Sequence, residues 1–436
     1  MEGDAGSGTA RPGPSPSPGS NALMLALNEM CDSERWYTST TELQLASLEF
    51  CIACRKYQTL RLRVDEKTPR TLLAAVEAPA THPKRLCRAR VPRLRARRVT
   101  WNMPTAVELR TPVFALKDAD CLDFGPAFVG SLEDVVWPRR LKIIEFDWYS
   151  SFDQPIDGVQ WPASLQKLDF GYDFNQPIED VILPNSLQYL RMGDDFDHPI
   201  EDVRWPQSLQ QMRFGKCFNQ PIEEVVWPSS LRELSFGYRS RFDQPIEDVE
   251  WPASLRQLTL SEEFDQPIEW CTFPASLEEL EFGLCFNQPV EGVTWPGSLQ
   301  RLAFGYLFNQ PVDLVRWPAS LEDVCFGKFE YQGFDNAVMF SKFNQRVDVC
   351  AWPASLRRLT LGHKFRQSLQ GLGTWMPNLE TLNLLDFGSG TEDSLLCAIE
   401  WPKDLRQLAV FRESSLDGVV IPSTVELSRP CNDTGI

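Results

Sequence analysis

The chain has 436 residues, and its 43 lysines and arginines stand against 60 aspartates and glutamates, for a net charge of −17. A surface of that sign repels phosphates and anionic lipid head groups, which argues against nucleic acid and membranes as partners. No apolar run reaches the roughly 18 residues of a membrane-spanning helix, and the acidic start lacks the features of a signal peptide. We therefore expect a soluble, cytoplasmic protein.

The first 66 residues divide into two parts. Residues 1–20 are rich in Gly, Pro and Ser, a composition that predicts a disordered tail. The apolar spacing over residues 21–66 is typical of a small, mainly helical region. Within it, Leu60, Leu62 and Val64 alternate with polar residues, which predicts a short strand.

Residues 67–118 are expected to form a basic linker followed by irregular first coils of a repeat. Residues 84–98 contain eight basic residues and no acidic one. Three interpretations of this run stay open. It is a nuclear-localisation or nucleic-acid patch, which leaves a nuclear location open; it docks against the acidic remainder of the chain; or its arginines occupy exposed positions of a strand, as the alternation R-L-R-A-R suggests.

From residue 119 onward the chain repeats itself. We expect about 12 coils of 22–24 residues over residues 119–412, followed by a C-terminal cap or tail at 413–436. One longer step of 35 residues contains an insertion at 330–342. The leucine of an S-L-x-x-L phrase marks the period, at Leu141, Leu165, Leu187, Leu209, Leu231, Leu255, Leu277, Leu299, Leu321, Leu356, Leu379 and Leu405.

One copy, WPASLRQLTL at residues 251–260, shows the expected structure. Its leucines form the L-x-x-L-x-L strand pattern, with Leu258 and Leu260 facing inward and Gln257 and Thr259 facing outward. The glycine that usually follows the strand is expected to turn the chain at positive φ. Two prolines per copy leave no room for a full helix.

The second half of each copy reads F-N/D-Q-P-I. We expect its phenylalanines to stack as a spine, and the Asn or Asp that follows to hydrogen-bond local backbone in a turn. One coil cannot bury both sides of its apolar wedge, so the coils must stack on one another. The pattern therefore predicts a mainly β repeat solenoid.

The phrase FNQPI…LPNSLQYLRMG at residues 174–193 resembles the FNIP repeat, a 22-residue relative of the leucine-rich repeat. The likeness extends over roughly residues 120–410, with Trp before the proline where the family often has Leu. It implies a leucine-rich-repeat-like solenoid and says little about activity. Because the chain has no catalytic constellation and solenoids usually bind through their strand face, we predict a non-enzymatic scaffold that binds protein.

Some FNIP proteins carry an N-terminal F-box, which gives residues 21–66 two interpretations. They are a helical cap on the first coil, or a degenerate F-box that would bind the adaptor of a cullin ubiquitin ligase and make the array a substrate receptor. The opening Leu-Pro of an F-box is missing. A resemblance to the closing half of an F-box is seen at Ala53, Cys54, Arg55, Lys56 and Tyr57.

Residues with catalytic or metal-binding potential are scattered, so no catalytic, cofactor or metal site is predicted. The three histidines, His82, His198 and His363, lie far apart in sequence, and the Cys51–Cys54 pair has no second pair nearby. The acid pairs of the P-I-E-D phrases recur with the repeat and are expected to form a solvated stripe rather than a catalytic dyad or a calcium ladder.

The outward positions of the strands are the predicted partner-binding face, because they vary while the inward positions do not. The ligand is expected to be another protein, with Tyr189, Arg191 and Arg213 as the main anchors. The face consists of Lys167, Asp169, Tyr189, Arg191, Gln211, Arg213, Glu233, Gln257, Glu279, Glu281, Arg301 and Asp323.

Overall fold

A single parallel sheet dominates the computed structural model, which describes residues 60–64, 96–106, 109, 119–237, 239–327, 341–362, 364–384, 399–410 and 420–428. Each strand pairs with the next one in the sequence. The strands are β1 Leu60–Val64, β2 Ala96–Trp101, β3 Cys121–Phe124, β4 Ile143–Phe146, β5 Lys167–Asp169, β6 Tyr189–Arg191, β7 Gln211–Phe214, β8 Glu233–Phe236, β9 Gln257–Thr259, β10 Glu279–Glu281, β11 Arg301–Phe304, β12 Asp323–Phe326, β13 Arg358–Leu361, β14 Thr381–Leu384, β15 Gln407–Val410 and β16 Glu426–Ser428.

Equivalent residues of successive copies lie side by side in this sheet. Leu280 pairs with Leu258 on one side and with Leu302 on the other. The apolar row of one coil is therefore continued by the next, and the predicted solenoid is confirmed. Sixteen strands at about 4.8 Å spacing give a sheet about 70 Å long. Strands β1, β2 and β16 lie outside residues 119–412 and extend the same sheet at its two ends.

Stacked phenylalanines form the centre of the core, as the repeat predicts. The rings of Phe174 and Phe196 are 6.4 Å apart at 5°, and those of Phe286 and Phe308 are 6.1 Å apart at 4°. Phe128, which the sequence pattern did not include, adds one more ring at the N-terminal end. The spine rings of the copies are fully or almost fully buried: Phe128, Phe152, Phe174, Phe196, Phe218, Phe242, Phe264, Phe286, Phe308, Phe343 and Phe365.

Tryptophans line the return side of the coils. Trp295 and Trp317 stack at 6.4 Å, and Phe273 takes the same slot one coil earlier. The ring nitrogens of most of these side chains are buried, and within the described residues they have no hydrogen-bond partner: Trp137, Trp161, Trp205, Trp227, Trp251, Trp295 and Trp317. Tryptophan therefore stabilises this position of the coil through its volume and its ring contacts rather than through a hydrogen bond.

Polar side chains of the repeat bond the coils to each other, which corrects the expectation of local turn bonds. The backbone N–H of Asn219 donates to Asp197 Oδ1 at 2.9 Å, and the N–H of Asp243 donates to Asn219 Oδ1 at the same distance. The Gln220 amide donates to the Asp197 carbonyl at 3.2 Å. Ser230 Oγ donates to the Leu209 carbonyl at 2.6 Å. The F-N-Q-P and S-L phrases are thus contacts between neighbouring copies.

The glycines after the strands also differ from expectation. Among the described glycines of that slot only Gly327 has a positive φ, +106°. The others are needed because the preceding coil is too close for a side chain. A Cβ on Gly283 would overlap the carbonyl oxygen of Ser261, and a Cβ on Gly305 would overlap that of Gly283. Glycine is selected here by close approach of two backbones rather than by a left-handed turn.

Helix is scarce, as two prolines per copy predict: within the described ranges α1 Leu372–Trp375 is the single α-helix, and it is one turn long. No helix of those ranges has the length and apolar character needed to span a bilayer. Several sequence-based predictions fall outside the described residues. They concern the tail at 1–20, the helical region at 21–59, most of the basic run at 84–95, most of the insertion at 330–340, and the C-terminal residues 429–436.

Candidate functional site

All twelve residues predicted for the partner-binding face lie on the outer side of the strands, in two parallel rows. Their side chains are exposed or partly exposed, whereas the residues between them are buried. The first row is Lys167, Tyr189, Gln211, Glu233, Gln257, Glu279, Arg301 and Asp323; the second is Asp169, Arg191, Arg213, Ser235, Thr259, Glu281, Ala303 and Cys325.

A chain of ion pairs crosses strands β2 to β6 on this face. Arg98, at the end of the basic run, contacts Asp123 at 2.6 Å and Glu145 at 2.7 Å. Lys167 Nζ lies 2.6 Å from Glu145 and 3.7 Å from Asp169. Since each cation bridges acids of different coils, these pairs hold the side chains in fixed positions.

Arg191 continues the chain of ion pairs. It contacts Asp169 at 3.2 Å and Asp194 at 2.7 Å, and all three side chains are largely buried. Charged groups that are already paired and ordered lose little conformational freedom when a partner binds. The N-terminal half of the face is therefore preorganised.

Burial and ion pairing shift the pKa values of these acids in opposite directions. Burial raises the pKa of Glu145, but the hydrogen bond and charge of Lys167, together with Arg98, outweigh it, so this pKa lies below its ordinary value. For Asp169 and Asp194, burial outweighs the charge of Arg191, and their pKa values are raised. Two acids that contact the same guanidinium are thus less readily ionised than Glu145.

Two aromatic side chains contact cations of this face. Its guanidinium lies 4.5 Å from the centre of the Trp148 ring, and Lys167 Nζ lies 4.7 Å from that of Tyr189. Trp148 is 55% exposed and its neighbour Tyr149 is 78% exposed. Sequence reasoning identified Tyr189 and Arg191 but missed Trp148 and Tyr149. The sequence feature that could have indicated Trp148 and Tyr149 is the spacing between Leu141 and Leu165, which is 24 residues rather than 22.

The C-terminal half of the face has a second, more exposed set of ion pairs. Arg301 contacts Glu279 at 3.1 Å and Asp323 at 3.8 Å, and Arg358 contacts Asp323 at 2.8 Å. Between the two sets lie Gln211, Glu233 and Gln257, which carry a single charge among them. The structure therefore groups Tyr189, Arg191 and Arg213 at one place and Glu279, Arg301 and Asp323 at another.

Among the described residues, one group of potential ligands is close enough together to hold a metal ion. Its members are Cys121, Asp123 and Glu145, whose ligand atoms lie within 4.8 Å of one another. Burial raises the pKa of the Cys121 thiol, with Asp123 adding to the effect, and both carboxylates already contact Arg98. A protonated thiol beside a guanidinium is a poor cation site, so this cluster belongs to the chain of ion pairs.

Other residues singled out in the sequence take structural positions. His198 Nε2 lies 3.0 Å from the Asn175 carbonyl, where other copies place the Gln amide. Acids of the P-I-E-D phrases, such as Glu179 and Asp180, are exposed on the return side. The Cys51–Cys54 pair and the other two histidines lie outside the described residues.

Comparison with known proteins identifies the repeat. A family model described as the FNIP repeat matches residues 152–195, 174–217, 196–239 and 242–285. No curated protein matches the sequence. A solved structure, CroV588, described as a novel circular LRR protein, is 28% identical with a TM-score of 0.50. The match covers 74% of this chain and 51% of CroV588, so this chain spans about half the length of that protein.

Two other solved structures are more distant. Internalin InlF from Listeria monocytogenes is 10% identical with a TM-score of 0.41, covering 72% of this chain and 81% of the internalin. The Toll–Spätzle complex of Drosophila contains a chain that is 12% identical with a TM-score of 0.45, covering 77% of this chain and 43% of that one.

Proposed function

The chain carries FNIP repeats that stack as a leucine-rich-repeat-like solenoid, and from this premise we propose that it is a non-enzymatic scaffold that binds another protein through its strand face. Solenoids offer long surfaces on which side chains can vary without changing the frame. In this chain the buried phenylalanine spine and the hydrogen bonds between coils form the constant frame, and the two outer rows carry the side chains that vary. The partner is therefore expected to contact the outer rows.

The observation that supports this proposal most is the group formed by Trp148, Tyr149, Tyr189 and Arg191. The few residues that dominate the energy of protein–protein interfaces are enriched in Trp, Tyr and Arg. Tyr189 and Arg191 are held by cation–π and ion-pair contacts, while Trp148 and Tyr149 expose most of their surface. A partner would find anchors that are ordered before it binds.

Photo-cross-linking in cells tests this proposal. A photoreactive phenylalanine analogue is placed in the full-length chain at Gln211, on the strand face, or at Thr272, which is exposed on the return side. We expect a protein adduct from position 211 that disappears when Tyr189→Ala is added, and none from position 272. Equal adducts from both positions, or adducts that survive Tyr189→Ala, would contradict a strand-face site.

The same samples address the ubiquitin-ligase alternative. A cullin-ligase adaptor recovered equally with the wild-type chain and with Tyr189→Ala would support attachment elsewhere, with residues 21–66 as the expected site. The cross-linked protein would then be a candidate substrate. If no adaptor is recovered with either chain, the scaffold function stands without a ligase.

A further inference from the structure

Among the copies between Leu141 and Leu321, two coils are longer than their neighbours, and they are lengthened at the same place. The steps from Leu141 to Leu165 and from Leu231 to Leu255 are both 24 residues. The additional residues lie between the end of the strand and the spine phenylalanine, after β4 at 147–151 and after β8, where the structure describes residues 237 and 239–241. Both loops therefore project from one edge of the strand face.

A buried serine closes each loop in the same way. Ser150 Oγ accepts a hydrogen bond from the N–H of Phe152, and Ser240 Oγ accepts one from the N–H of Phe242. In the second loop Arg239 has a φ of +57°, a conformation that costs free energy for a residue other than glycine. The described residues of both loops thus share the same internal hydrogen bond.

The loops are four strand spacings apart, which is about 19 Å. The first loop presents the exposed rings of Trp148 and Tyr149. Arg241, in the second loop, and Arg213, near it, are exposed, and Lys216 is partly exposed. The N–H of Arg241 donates to the Lys216 carbonyl at 2.9 Å, so these residues belong to one local surface.

The charges at this end of the surface differ from those at β2 to β6. Arg98, Lys167 and Arg191 each contact at least two acids. By contrast, Arg213, Lys216 and Arg241 form no ion pair within 4 Å with any described residue, although the charge of Lys216 acts on the Asp194 carboxyl. Three cations are thus grouped on one local surface of a chain whose net charge is −17.

We propose that this two-loop surface, made of Trp148, Tyr149, Tyr189, Arg213, Lys216 and Arg241, binds an acidic segment of a partner protein. The segment extends along the array. Its carboxylates pair with the three cations, and an apolar side chain packs on Trp148 and Tyr149. Six extended residues cover the distance, at about 3.3 Å each. The inference rests on the proposed function and adds the chemistry of the partner.

A peptide selection tests the inference. Random 12-residue peptides displayed on phage are selected on the immobilised full-length protein, and the enriched sequences are synthesised with a fluorescent label. Their Kd is measured by anisotropy at 50 and 300 mM NaCl. The variants are Trp148→Ala and the pair Arg213→Glu with Lys216→Glu. The matched control is Arg204→Glu with Arg316→Glu, which changes the charge equally at exposed return-side positions.

We expect enriched peptides that are acidic, with an apolar residue a few positions from the carboxylates. Their Kd should rise at least ten-fold with the Arg213/Lys216 pair and with Trp148→Ala, and about as much between the two salt concentrations, because exposed charge pairs are screened. The control pair should change Kd less than two-fold. Circular dichroism should be the same for all variants.

The possible failures are distinguishable. Enriched peptides that are not acidic but still weaken with Trp148→Ala would overturn the inferred partner chemistry and leave the strand-face function intact. A selection that enriches no acidic peptide, while the cross-link from position 211 is present, would also overturn the inference alone. Peptides whose binding is unaffected by every strand-face variant would count against both.

Discussion

Single polar side chains bind one coil to the next in this protein. Asn219 accepts the N–H of Asp243 through its Oδ1, and the Gln244 amide donates to both the carbonyl and the Oδ1 of Asn219 at 3.1 Å. A buried backbone N–H must find an acceptor, and here the acceptor belongs to the preceding copy. The motif residue therefore stabilises an interface between repeats, although it lies in what looks like a turn.

Asn219→Ala tests this role. It removes the acceptor of the Asp243 N–H and leaves that group unsatisfied, so we expect a loss of about 1–3 kcal/mol in the free energy of unfolding. Asn219→Asp is the control, because Asp197, Asp243 and Asp265 perform the same task in other coils. Urea unfolding measures both. A loss as large for Asp as for Ala would show that the hydrogen bond is not the cause.

At the scale of the coil, the distance between neighbouring backbones decides which residues are allowed. From β3 to β16 the strands are only three or four residues long, and the chain after many of them passes close to the coil before it. This explains why the slot after the strand is glycine in most copies even where its φ is negative, with Asp147 and Ser261 as exceptions. A Cβ at these glycines would push two coils apart along the stack.

The pair Gly283→Ala and Gly297→Ala separates this packing effect from the general effect of removing a glycine. A Cβ on Gly283 overlaps the backbone of Ser261 and Glu262, so we expect a loss of about 1–3 kcal/mol. A Cβ on Gly297 has no atom within 4 Å, and its effect should stay within about 0.5 kcal/mol. Thermal unfolding of the two variants gives the comparison, and equal shifts would refute the close approach.

At the scale of the molecule, stability should follow position along the array. Each described strand pairs only with the strands next to it, so an interior coil has two stabilising backbone interfaces and a coil at the end of the sheet has one. Strand β10 pairs with β9 and β11, whereas β16 pairs only with β15, and Leu427 in β16 is 48% exposed. The C-terminal end should therefore open more easily than the centre.

Hydrogen exchange measured by mass spectrometry checks this expectation. Peptides covering β9 to β11 should exchange more slowly than peptides covering β15 and β16, because local opening at an end breaks fewer contacts. The Gly283→Ala variant should speed exchange around β9 to β11 more than at β3. Uniform protection from β3 to β16 would mean that the array opens as one unit.

The fold could be predicted from the sequence because three features indicate the same repeating unit. They are the 22-residue period, the alternating leucines of the strand and the recurring phenylalanine, which all belong to the buried side of one coil. Asn219 shows where such reasoning stops. Local turn chemistry suggests a partner two residues away, whereas the partner lies 24 residues away in the next coil. Gly283 is a similar case, since only the stacked structure reveals the neighbouring carbonyl.

The outer positions of the face followed from strand alternation, but their contacts did not. The chain of ion pairs from Arg98 to Asp194 depends on the register of β2 to β6, and β2 precedes the regular repeats. Trp148 and Tyr149 lie in a loop that departs from the repeat, so a pattern built on the repeat could not assign them to the face. The outward placement of these residues could therefore be predicted from the sequence, whereas their contacts and the two loop aromatics could not.

The insertion before Ser341 has a consequence for protein engineering. Strands β12 and β13 pair in register, Val324 beside Leu359, although 35 residues separate Leu321 from Leu356 instead of the usual 22. The frame thus accepts extra chain at a junction between coils without loss of pairing. A reporter domain, such as a fluorescent protein, could be fused inside the chain at this junction, which would allow the scaffold to be followed while both ends of the array stay unmodified.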